Sequence, residues 1–320
     1  MAEITGLVLP FFGMILLGYL AAKITRQPAE ALGWLNTFII YVSLPALFFK
    51  LVSKTPIEQL TRVDFILANV SATYLVFGLI FVVGLLVRRA TVGEATVQGL
   101  AAAYGNIGYM GPGLALLAFG EPAAVPVALV FCFENMLHFM VAPALMSFSG
   151  GEKRPAAAIA GDIVRRIVTH PFIIATAAGF VAAFLSFEAP APLQRLIDYL
   201  AQAAAPCALF AMGVTLALRP LKRVPAEITY IVPAKLLLLP VTMYLVLGAA
   251  GNFDPVWVYT AVLLAALPTA TNVFVIGQQY GVWQERASAT ILITTVLSVA
   301  TVTILLYLVK SGLLPGDPFP

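Results

Sequence analysis

Long apolar runs recur along the whole chain, and no other feature limits its possible folds as strongly. An α-helix of about 20 residues spans the roughly 30 Å hydrocarbon core of a bilayer. The runs therefore predict an all-α membrane protein with ten transmembrane helices. They lie near residues 4–22, 34–52, 64–87, 94–118, 123–147, 168–187, 194–217, 227–249, 256–276 and 286–309.

The amino-acid composition agrees with this prediction. Hydrophobic residues make up 61% of the 320 positions, charged residues make up only 10%, and the mean hydropathy is +0.97. Because a soluble domain carries about 25% charged residues, a water-soluble globular protein is excluded. The net charge of +3 does not indicate nucleic-acid binding, since the basic residues lie in short loops. Cys132 and Cys207 lie inside apolar runs, where packing is expected rather than a disulfide or a metal site.

Lysine and arginine residues are divided unevenly between the two sides of the predicted membrane protein. Loops after odd-numbered helices carry twelve of them, and the other loops carry four. Cytoplasmic loops are enriched in these residues, so we expect the odd-numbered loops in the cytoplasm and both termini outside. The twelve are Lys23, Arg26, Arg88, Arg89, Lys153, Arg154, Arg165, Arg166, Arg219, Lys222, Arg223 and Arg286, and the four are Lys50, Lys54, Arg62 and Lys310.

The first half of the chain resembles the second half at a fixed offset of 161 residues. The matches cover two successive helices and then fade, so the register of the fourth and ninth helices stays open. With five helices per half, the second half is inverted relative to the first, as in many secondary transporters. We expect repeats at 1–148 and 170–320, joined by a cytoplasmic linker at 149–169. The matched pairs are Pro10/Pro171, Phe11/Phe172, Gly18/Gly179, Ala21/Ala182, Ala22/Ala183, Leu32/Leu193, Leu35/Leu196, Pro45/Pro206 and Phe49/Phe210.

The fourth and ninth predicted helices contain residues that interrupt helices, close to mid-membrane. Proline removes a backbone donor and clashes with the preceding turn, and glycine lowers the cost of unwinding. The helix ends freed by a break carry N–H groups whose partial positive charge suits a carboxylate. The alternative is that the glycines serve only close helix packing. The candidate substrate-binding residues here are Gly105, Asn106, Gly108, Pro112, Pro268, Thr269, Thr271 and Asn272.

The same residues carry a resemblance to a known family. Gly105-Asn106 through Pro112, together with Leu267-Pro268, Asn272–Val275 and Gln278–Gly281, resemble the auxin efflux carrier family in its bacterial form. The resemblance covers nearly the whole chain, including the ten helices. It implies a fold like those of plant auxin exporters, bile-acid symporters and sodium/proton antiporters, in which broken helices 4 and 9 cross.

The resemblance also implies several properties of the molecule. Helices 1, 2, 6 and 7 would form a scaffold that mediates a homodimer, and helices 3–5 and 8–10 would form a transport domain. Asn106 would bind a substrate carboxylate. Independently of the resemblance, Tyr41 and Ser43 in the second predicted helix are candidate contacts from the scaffold side. The implied substrate is a malonate-like dicarboxylate or an auxin-like acid, carried across a bacterial inner membrane.

Ionisable side chains occur deep within two predicted helices. Glu134 lies near the middle of the fifth helix and Lys235 near the middle of the eighth. An unpaired charge at the bilayer centre costs about 2.5–3.5 kcal/mol, so we expect compensation, most simply by mutual pairing. Two roles stay open: coupling to protons or sodium, or fixed structural contacts. His138 lies one turn beyond Glu134 on the same face, where packing is more typical than proton transfer, and the role of Asn135 is open.

Two other classes of function compete with an organic-anion carrier. A cation/proton antiporter on the same fold would need adjacent buried carboxylates, and the mid-membrane helices offer only Glu134. An intramembrane enzyme would need a nucleophile and base or a metal site, and the two histidines, His138 and His170, form no such cluster with other ligands. The chain contains no nucleotide-binding motif, so we predict a secondary transporter with no cofactor, metal or catalytic residue.

Overall fold

The computed structural model describes residues 2–148, 161, 164–165, 168–218 and 224–319. These residues are almost entirely helical or in short connections, and their one isolated β-bridge joins Gly105 to Thr269. Each of the ten predicted apolar runs contains helix. Most of the predicted linker at 149–169 lies outside the described residues, as do the basic residues Lys153, Arg154, Arg166, Arg219, Lys222 and Arg223.

Six helical stretches in the described part of the chain are long and apolar enough to cross a membrane. Three shorter apolar helices accompany them, at Leu9–Thr25, Pro171–Phe184 and Pro255–Ala266. The protein is therefore a helical membrane protein. The six stretches are Glu30–Ser53, Ile57–Leu86, Glu121–Met146, Ala191–Leu218, Ile228–Ala250 and Gln284–Lys310.

The chain divides into two compact units, each built from several separate segments. Unit 1 comprises residues 1–62, 108–132 and 168–220, and unit 2 comprises residues 63–107, 133–167 and 221–320. Helix α8 (Ala124–Met146) contributes residues to both. The other helices of unit 1 are α1 (Ala2–Thr25), α2 (Gly33–Phe38), α3 (Leu44–Ser53), α4 (Ile57–Leu60), α7 (Gly111–Phe119), α9 (Pro171–Phe184) and α10 (Ala191–Leu218). The other helices of unit 2 are α5 (Val63–Leu86), α6 (Val92–Ala103), α11 (Ile228–Pro233), α12 (Leu239–Ala250), α13 (Pro255–Ala266), α14 (Thr271–Gln279) and α15 (Gln284–Lys310).

Glycines allow the helices of unit 1 to pack backbone against backbone. A Cβ on Gly18 of α1 would lie 2.1 Å from the carbonyl oxygen of Phe210 on α10. A Cβ on Gly213 of α10 would lie 1.9 Å from the carbonyl oxygen of Ile15 on α1. Small residues are the usual means by which membrane helices approach closely, because lipid supplies no hydrophobic drive for helices to associate. The α1–α10 contact therefore depends on the absence of side chains at these two positions.

A second contact in unit 1 repeats the first with the partners exchanged. Gly179 of α9 lies against α3, where a Cβ would be 3.2 Å from the carbonyl oxygen of Phe49. In the sequence repeat, Gly18 matches Gly179 and Phe49 matches Phe210. Exchanging the two matched halves therefore turns the contact of Gly18 with Phe210 into the contact of Gly179 with Phe49, as a local two-fold relation requires.

Two π-helical segments widen the long helices just before prolines. Ile39–Ser43 joins α2 to α3, and Ala234–Leu238 joins α11 to α12. A proline clashes with the carbonyl group four residues earlier. For Pro45 and Pro240 that carbonyl lies inside the π-helical segment, where the wider turn can accommodate the ring. Such segments are frequent at functional sites, and the second one contains Lys235.

Candidate functional site

Helices α6 and α13 of unit 2 both begin at a capped end and both stop after twelve residues. Thr91 and Glu94 form a reciprocal capping box at the start of α6, and the Asp254 carboxylate accepts a hydrogen bond from Val256 N at 2.8 Å at the start of α13. After α13 the backbone is extended at Leu267, as expected for a residue that precedes a proline. The cap of each helix therefore fixes where the helix begins, and the extended residue after it marks where the helix ends.

The extended residues that follow the two helices pair with each other in antiparallel fashion. Asn106 N donates to Pro268 O at 2.8 Å, and Ala270 N donates to Tyr104 O at 2.9 Å. We call residues 104–106 and 268–270 the paired segments. Gly105 and Thr269 form the bridge between them. The two bridged residues are 164 positions apart in the sequence.

Thr269 is engaged in holding the paired segments together. Its hydroxyl donates to Ala101 O at 2.7 Å, which satisfies one of the carbonyl groups left unpaired at the end of α6. Its backbone N–H donates to the Thr294 hydroxyl at 3.1 Å. The side chain is fully buried. Thr269 was predicted to contact substrate, and in the structure its hydroxyl acts as a C-terminal cap of α6.

Tyr104, which sequence reasoning missed, connects the paired segments to α8 and α14. Its hydroxyl donates to the Asn135 side-chain oxygen and accepts from Asn272 Nδ2 at 2.7 Å. The side chain is 1% exposed. Asn272 and Asn135, both predicted candidates, are thus brought together through a tyrosine. The one signal that could have identified Tyr104 is its position directly before Gly105, at the predicted break.

His138 and Glu134 lie in the same buried polar cluster as Tyr104. The His138 ring lies against the Tyr104 ring with 4.1 Å between centroids and a tilt of 31°, and its Nδ1 is 3.1 Å from the Tyr74 hydroxyl. Its Nε2 is buried without a hydrogen-bond partner. The Thr73 hydroxyl donates to Glu134 Oε1 at 2.7 Å. Sequence reasoning missed Thr73 and Tyr74, whose adjacent polar side chains in an apolar run were the available signal.

Lys235 is fully buried, and its ammonium group bonds to the end of a helix. Nζ donates to Ala265 O, in the last turn of α13, at 2.6 Å. Glu134 and Lys235 do not form an ion pair, and each has its own partner. The two groups thus interact electrostatically but without the direct ion pair that was expected, and a hydroxyl and a helix carbonyl are their hydrogen-bond partners. Ion pairs elsewhere in the described part of the chain include those of Lys50 with Asp198 and of Arg286 with Glu227.

Four predicted candidates belong to unit 1. Pro112 is buried at the start of α7, and Gly108 approaches Phe131, whose ring carbon would lie 3.1 Å from an added Cβ. Ser43 is buried and its hydroxyl donates to Ile39 O at 3.5 Å, within its own helix. Tyr41 is 64% exposed. The candidates that the structure brings together are thus those of unit 2: Gly105, Asn106, Glu134, Asn135, His138, Lys235, Pro268, Thr269, Thr271 and Asn272.

The part of the chain that the structure describes contains no cluster of side chains that could bind a metal ion. No group of three or more His, Cys, Asp or Glu residues is close enough there to hold an ion. Cys132 and Cys207 are free thiols. The buried polar residues of unit 2 are mainly neutral hydrogen-bonding groups.

Comparison with known proteins identifies the family. A family model described as "Membrane transport protein" matches residues 3–142 and 139–306. The chain belongs to this auxin efflux carrier family of membrane transporters. The resemblance stated from the paired-segment residues is therefore confirmed.

Curated relatives in this family are named as transporters. The chain is 75% identical over 320 residues, covering all of both chains, to a Rhizobium meliloti protein named "Putative malonate transporter". It is 23% identical over 313 residues to the uncharacterized transporter YfdV of Escherichia coli, covering 94% of this chain and 96% of that one. An uncharacterized transporter of Methanothermobacter thermautotrophicus is 25% identical over 312 residues, covering 93% and 95%.

Proposed function

We propose that this protein is a secondary transporter of a malonate-like dicarboxylate, and that the substrate carboxylate binds at the paired segments of unit 2. The observation that carries the proposal is the interruption of two membrane helices at buried polar residues. A membrane helix normally pairs all of its backbone N–H and C=O groups with one another. Non-helical backbone within the membrane is tolerated where it lines a water-filled cavity or is buried in protein. The family membership and the name of the Rhizobium relative support malonate as the first substrate to test.

The chemistry of the paired segments suits a carboxylate. Asn106 is 2% exposed beside the bridge, and Asn272 lies in the first turn of α14. Helix α14 begins after Ala270, which has no side chain able to cap it. The positive end of the helix dipole and neutral amide donors together favour an anion. Both amide side chains would contribute donors, with Tyr104 holding Asn272 in place.

We also propose that unit 2 is the transport domain and unit 1 the scaffold of an alternating-access carrier. The segments that form unit 1 contain predicted helices 1, 2, 6 and 7, and unit 2 contains the paired segments. Unit 1 also contains residues 108–132, which belong to predicted helices 4 and 5, so these two helices contribute to both units. The exchanged Gly18–Phe210 and Gly179–Phe49 contacts support two inverted repeats of common origin. A homodimer, external termini and a bacterial inner membrane location complete the proposal.

A cation/proton antiporter is less well supported by the buried carboxylates. Glu134 accepts a hydrogen bond from Thr73, and Glu227 is engaged by Arg286 at 2.6 Å. No contact between Glu134 and a second carboxylate is found among the described residues. Proton exchange by Glu134 during anion transport remains compatible with the proposed function.

Ligand-induced thermal stabilisation tests the proposed function. Detergent-purified wild-type protein is compared with Asn106→Ala, using malonate, succinate, other small carboxylates and indole-3-acetate. A ligand at a hundred times its Kd stabilises the folded state by about 2.7 kcal/mol. We expect a rise in Tm with malonate that is lost in Asn106→Ala.

Asn252→Ala serves as the matched control, because Asn252 is an exposed loop residue. It should keep the malonate response of the wild type. An equal malonate response in Asn106→Ala and wild type would overturn the assignment of the site. No response of the wild type to any carboxylate would overturn the substrate class.

A further inference from the structure

After α15 the chain folds back along unit 2. Helix α15 is followed by Gly312, whose φ of 71° lies in the left-handed region that glycine adopts without strain. The backbone N–H groups of Leu313 and Leu314 both donate to Leu308 O, at 2.9 and 3.1 Å, and close the turn. Residues 311–319, which we call the strap, therefore leave α15 in a fixed direction.

Two tyrosine hydroxyls of unit 2 donate to neighbouring carbonyl groups of the strap. Tyr259 of α13 donates to Leu314 O at 2.9 Å, and Tyr244 of α12 donates to Pro315 O at 2.7 Å. Grooves lined by aromatic side chains are a recurring means of binding proline-rich segments. The strap contains two prolines, Pro315 and Pro318. The two tyrosines thus hold a proline-containing backbone from two different helices.

Glycine and proline residues fit together where the strap crosses α12 and α13. A Cβ on Gly248 of α12 would overlap the ring of Pro318 in the strap. A Cβ on Gly316 of the strap would lie 2.8 Å from Pro255 Cβ at the start of α13, closer than real Cβ atoms approach. Each side of the contact therefore contributes one glycine and one proline. The strap groove consists of Tyr244, Gly248, Pro255 and Tyr259.

Helix α13 connects the strap groove with the paired segments. Pro255 and Tyr259 lie in its first two turns, and the extended residue Leu267 follows its last turn and leads into the pairing. Leu267 lies eight positions after Tyr259, which is about 12 Å along a helix. Because a short helix moves as a rigid element, a shift at the strap groove is transmitted to the paired segments.

Packing beside α13 is incomplete near the strap. A cavity of about 220 Å³ lies between α12, α13 and α15, and its apolar lining includes Tyr244, Val262, Thr301 and Leu314. A helix that borders a cavity lacks the dispersion contacts that a filled interior would supply on that side. The strap therefore supplies contacts that α13 does not have on the side of the cavity.

We propose that the strap groove is a docking site for a proline-containing segment, and that the strap of the same chain occupies it as a latch. The docked strap holds α13, and with it the paired segments, in position. Tyr244 and Tyr259 are positioning residues, since they act on the paired segments through α13. The effect on substrate binding rests on the proposed function, whereas the docking of the strap does not.

Release of the strap by trypsin tests the docking in detergent-purified full-length protein. Trypsin cleaves after Lys310, and residues 311–320 contain no further lysine or arginine, so cleavage there frees the strap as one peptide. Mass spectrometry measures the rate at which this peptide appears. The rate follows the undocked fraction of the protein when docking is fast compared with cleavage.

Gly248→Ala and the double variant Tyr244→Phe/Tyr259→Phe each weaken the docking. The alanine Cβ overlaps the Pro318 ring, and the double variant removes two hydrogen bonds while keeping both aromatic rings. We expect the peptide to appear at least about fivefold faster in both, since two hydrogen bonds change an equilibrium by that factor or more. Gly78→Ala on α5 is the control, because its Cβ meets nothing within 4 Å, and it should match the wild type.

Two results would overturn the docking site. One is an equal rate of peptide release in the wild type and in both variants. The other is an equal acceleration in Gly78→Ala, because it would show a general loosening of unit 2 rather than the loss of contacts at the strap groove.

Hydrogen–deuterium exchange tests the effect of the strap on α13 without any substrate. The backbone N–H groups of the paired segments are hydrogen-bonded, as Asn106 N is to Pro268 O, so their exchange reports local opening. We expect residues 255–270 to exchange at least about fivefold faster in the double variant than in the wild type, with residues 63–86 of α5 unchanged. Equal exchange of residues 255–270 in the two proteins would contradict the latch.

Isothermal titration calorimetry with malonate extends the test to the proposed substrate site. We expect the Kd to rise at least about fivefold in Tyr244→Phe/Tyr259→Phe and to stay unchanged in Gly78→Ala. A wild-type Kd in the double variant would refute the effect of the latch on the site. If the wild type does not bind malonate, the proposed substrate fails, while strap release and hydrogen exchange still decide the latch.

Discussion

Units 1 and 2 are stabilised in different ways. In unit 1 the closest contacts join backbone to backbone at Gly18 and Gly213, with aromatic rings such as Phe48 and Phe131 stacked at 4.3 Å nearby in the same unit. In unit 2 the interior holds a connected set of polar side chains around Tyr104. Polar groups within membrane helices are costly and usually functional. The comparison shows close backbone packing in unit 1 and a buried polar cluster in unit 2, and the proposed function assigns substrate recognition to that cluster.

The largest effect is expected from Gly213→Ala in unit 1. The new Cβ would lie 1.9 Å from Ile15 O, so α1 and α10 must separate. Overpacking of this kind costs roughly 3 kcal/mol or more, and we expect little folded protein by size-exclusion chromatography. Gly13→Ala on α1 is the control, because its Cβ meets nothing within 4 Å. A normal yield and Tm for Gly213→Ala would show that unit 1 is not rigid at this contact.

The next largest effect is expected from Tyr104→Phe in unit 2. The change removes one hydroxyl and leaves the Asn135 and Asn272 side chains without that partner, at a cost of about 1–3 kcal/mol. We expect malonate transport to fall at least tenfold while the protein remains folded. Tyr199→Phe, at a residue 71% exposed, should transport normally. If Tyr104→Phe loses stability without losing transport of the folded fraction, the polar cluster is structural.

A smaller change is expected from Glu134→Gln. The amide keeps an oxygen that can accept from the Thr73 hydroxyl but cannot exchange a proton. We expect transport to persist at a reduced rate and to lose its dependence on pH between about pH 5 and 8. The measurement is the initial rate of malonate uptake across that range. A variant with the same pH profile as wild type would exclude Glu134 as the proton carrier.

The smallest effect is expected from Asp198→Asn, which removes the ion pair between Lys50 and Asp198 in unit 1. Lys50 and Asp198 are 2.7 Å apart, but both side chains are about 30% exposed. Exposed ion pairs contribute little to stability, so the Tm should change by no more than the scatter between preparations. A large destabilisation would mean that unit 1, like unit 2, depends on specific polar contacts.

The sequence predicted the helices well and their polar contacts less well. Hydropathy and proline or glycine content are local properties, so they located the apolar runs and the residues near each break. The role of Thr269 and the lack of pairing between Glu134 and Lys235 depend on which atoms meet across the fold. Tyr104 and Asn272 are 168 residues apart, and only the position of that tyrosine directly before Gly105 distinguishes it in the sequence from one that faces lipid.

The sequence by itself determined that this protein is helical, membrane-embedded and a member of a family of membrane transporters. The first two properties follow from composition and run length, and the third follows from the motifs that resemble that family. The tertiary structure alone decided the pairing of Gly105 with Thr269, the hydrogen bonds of Tyr104 and the position of Lys235. A buried polar atom takes whichever partner the packing of distant helices brings within about 3 Å. That distance is set by close contacts over the whole unit, and no stretch of sequence contains it.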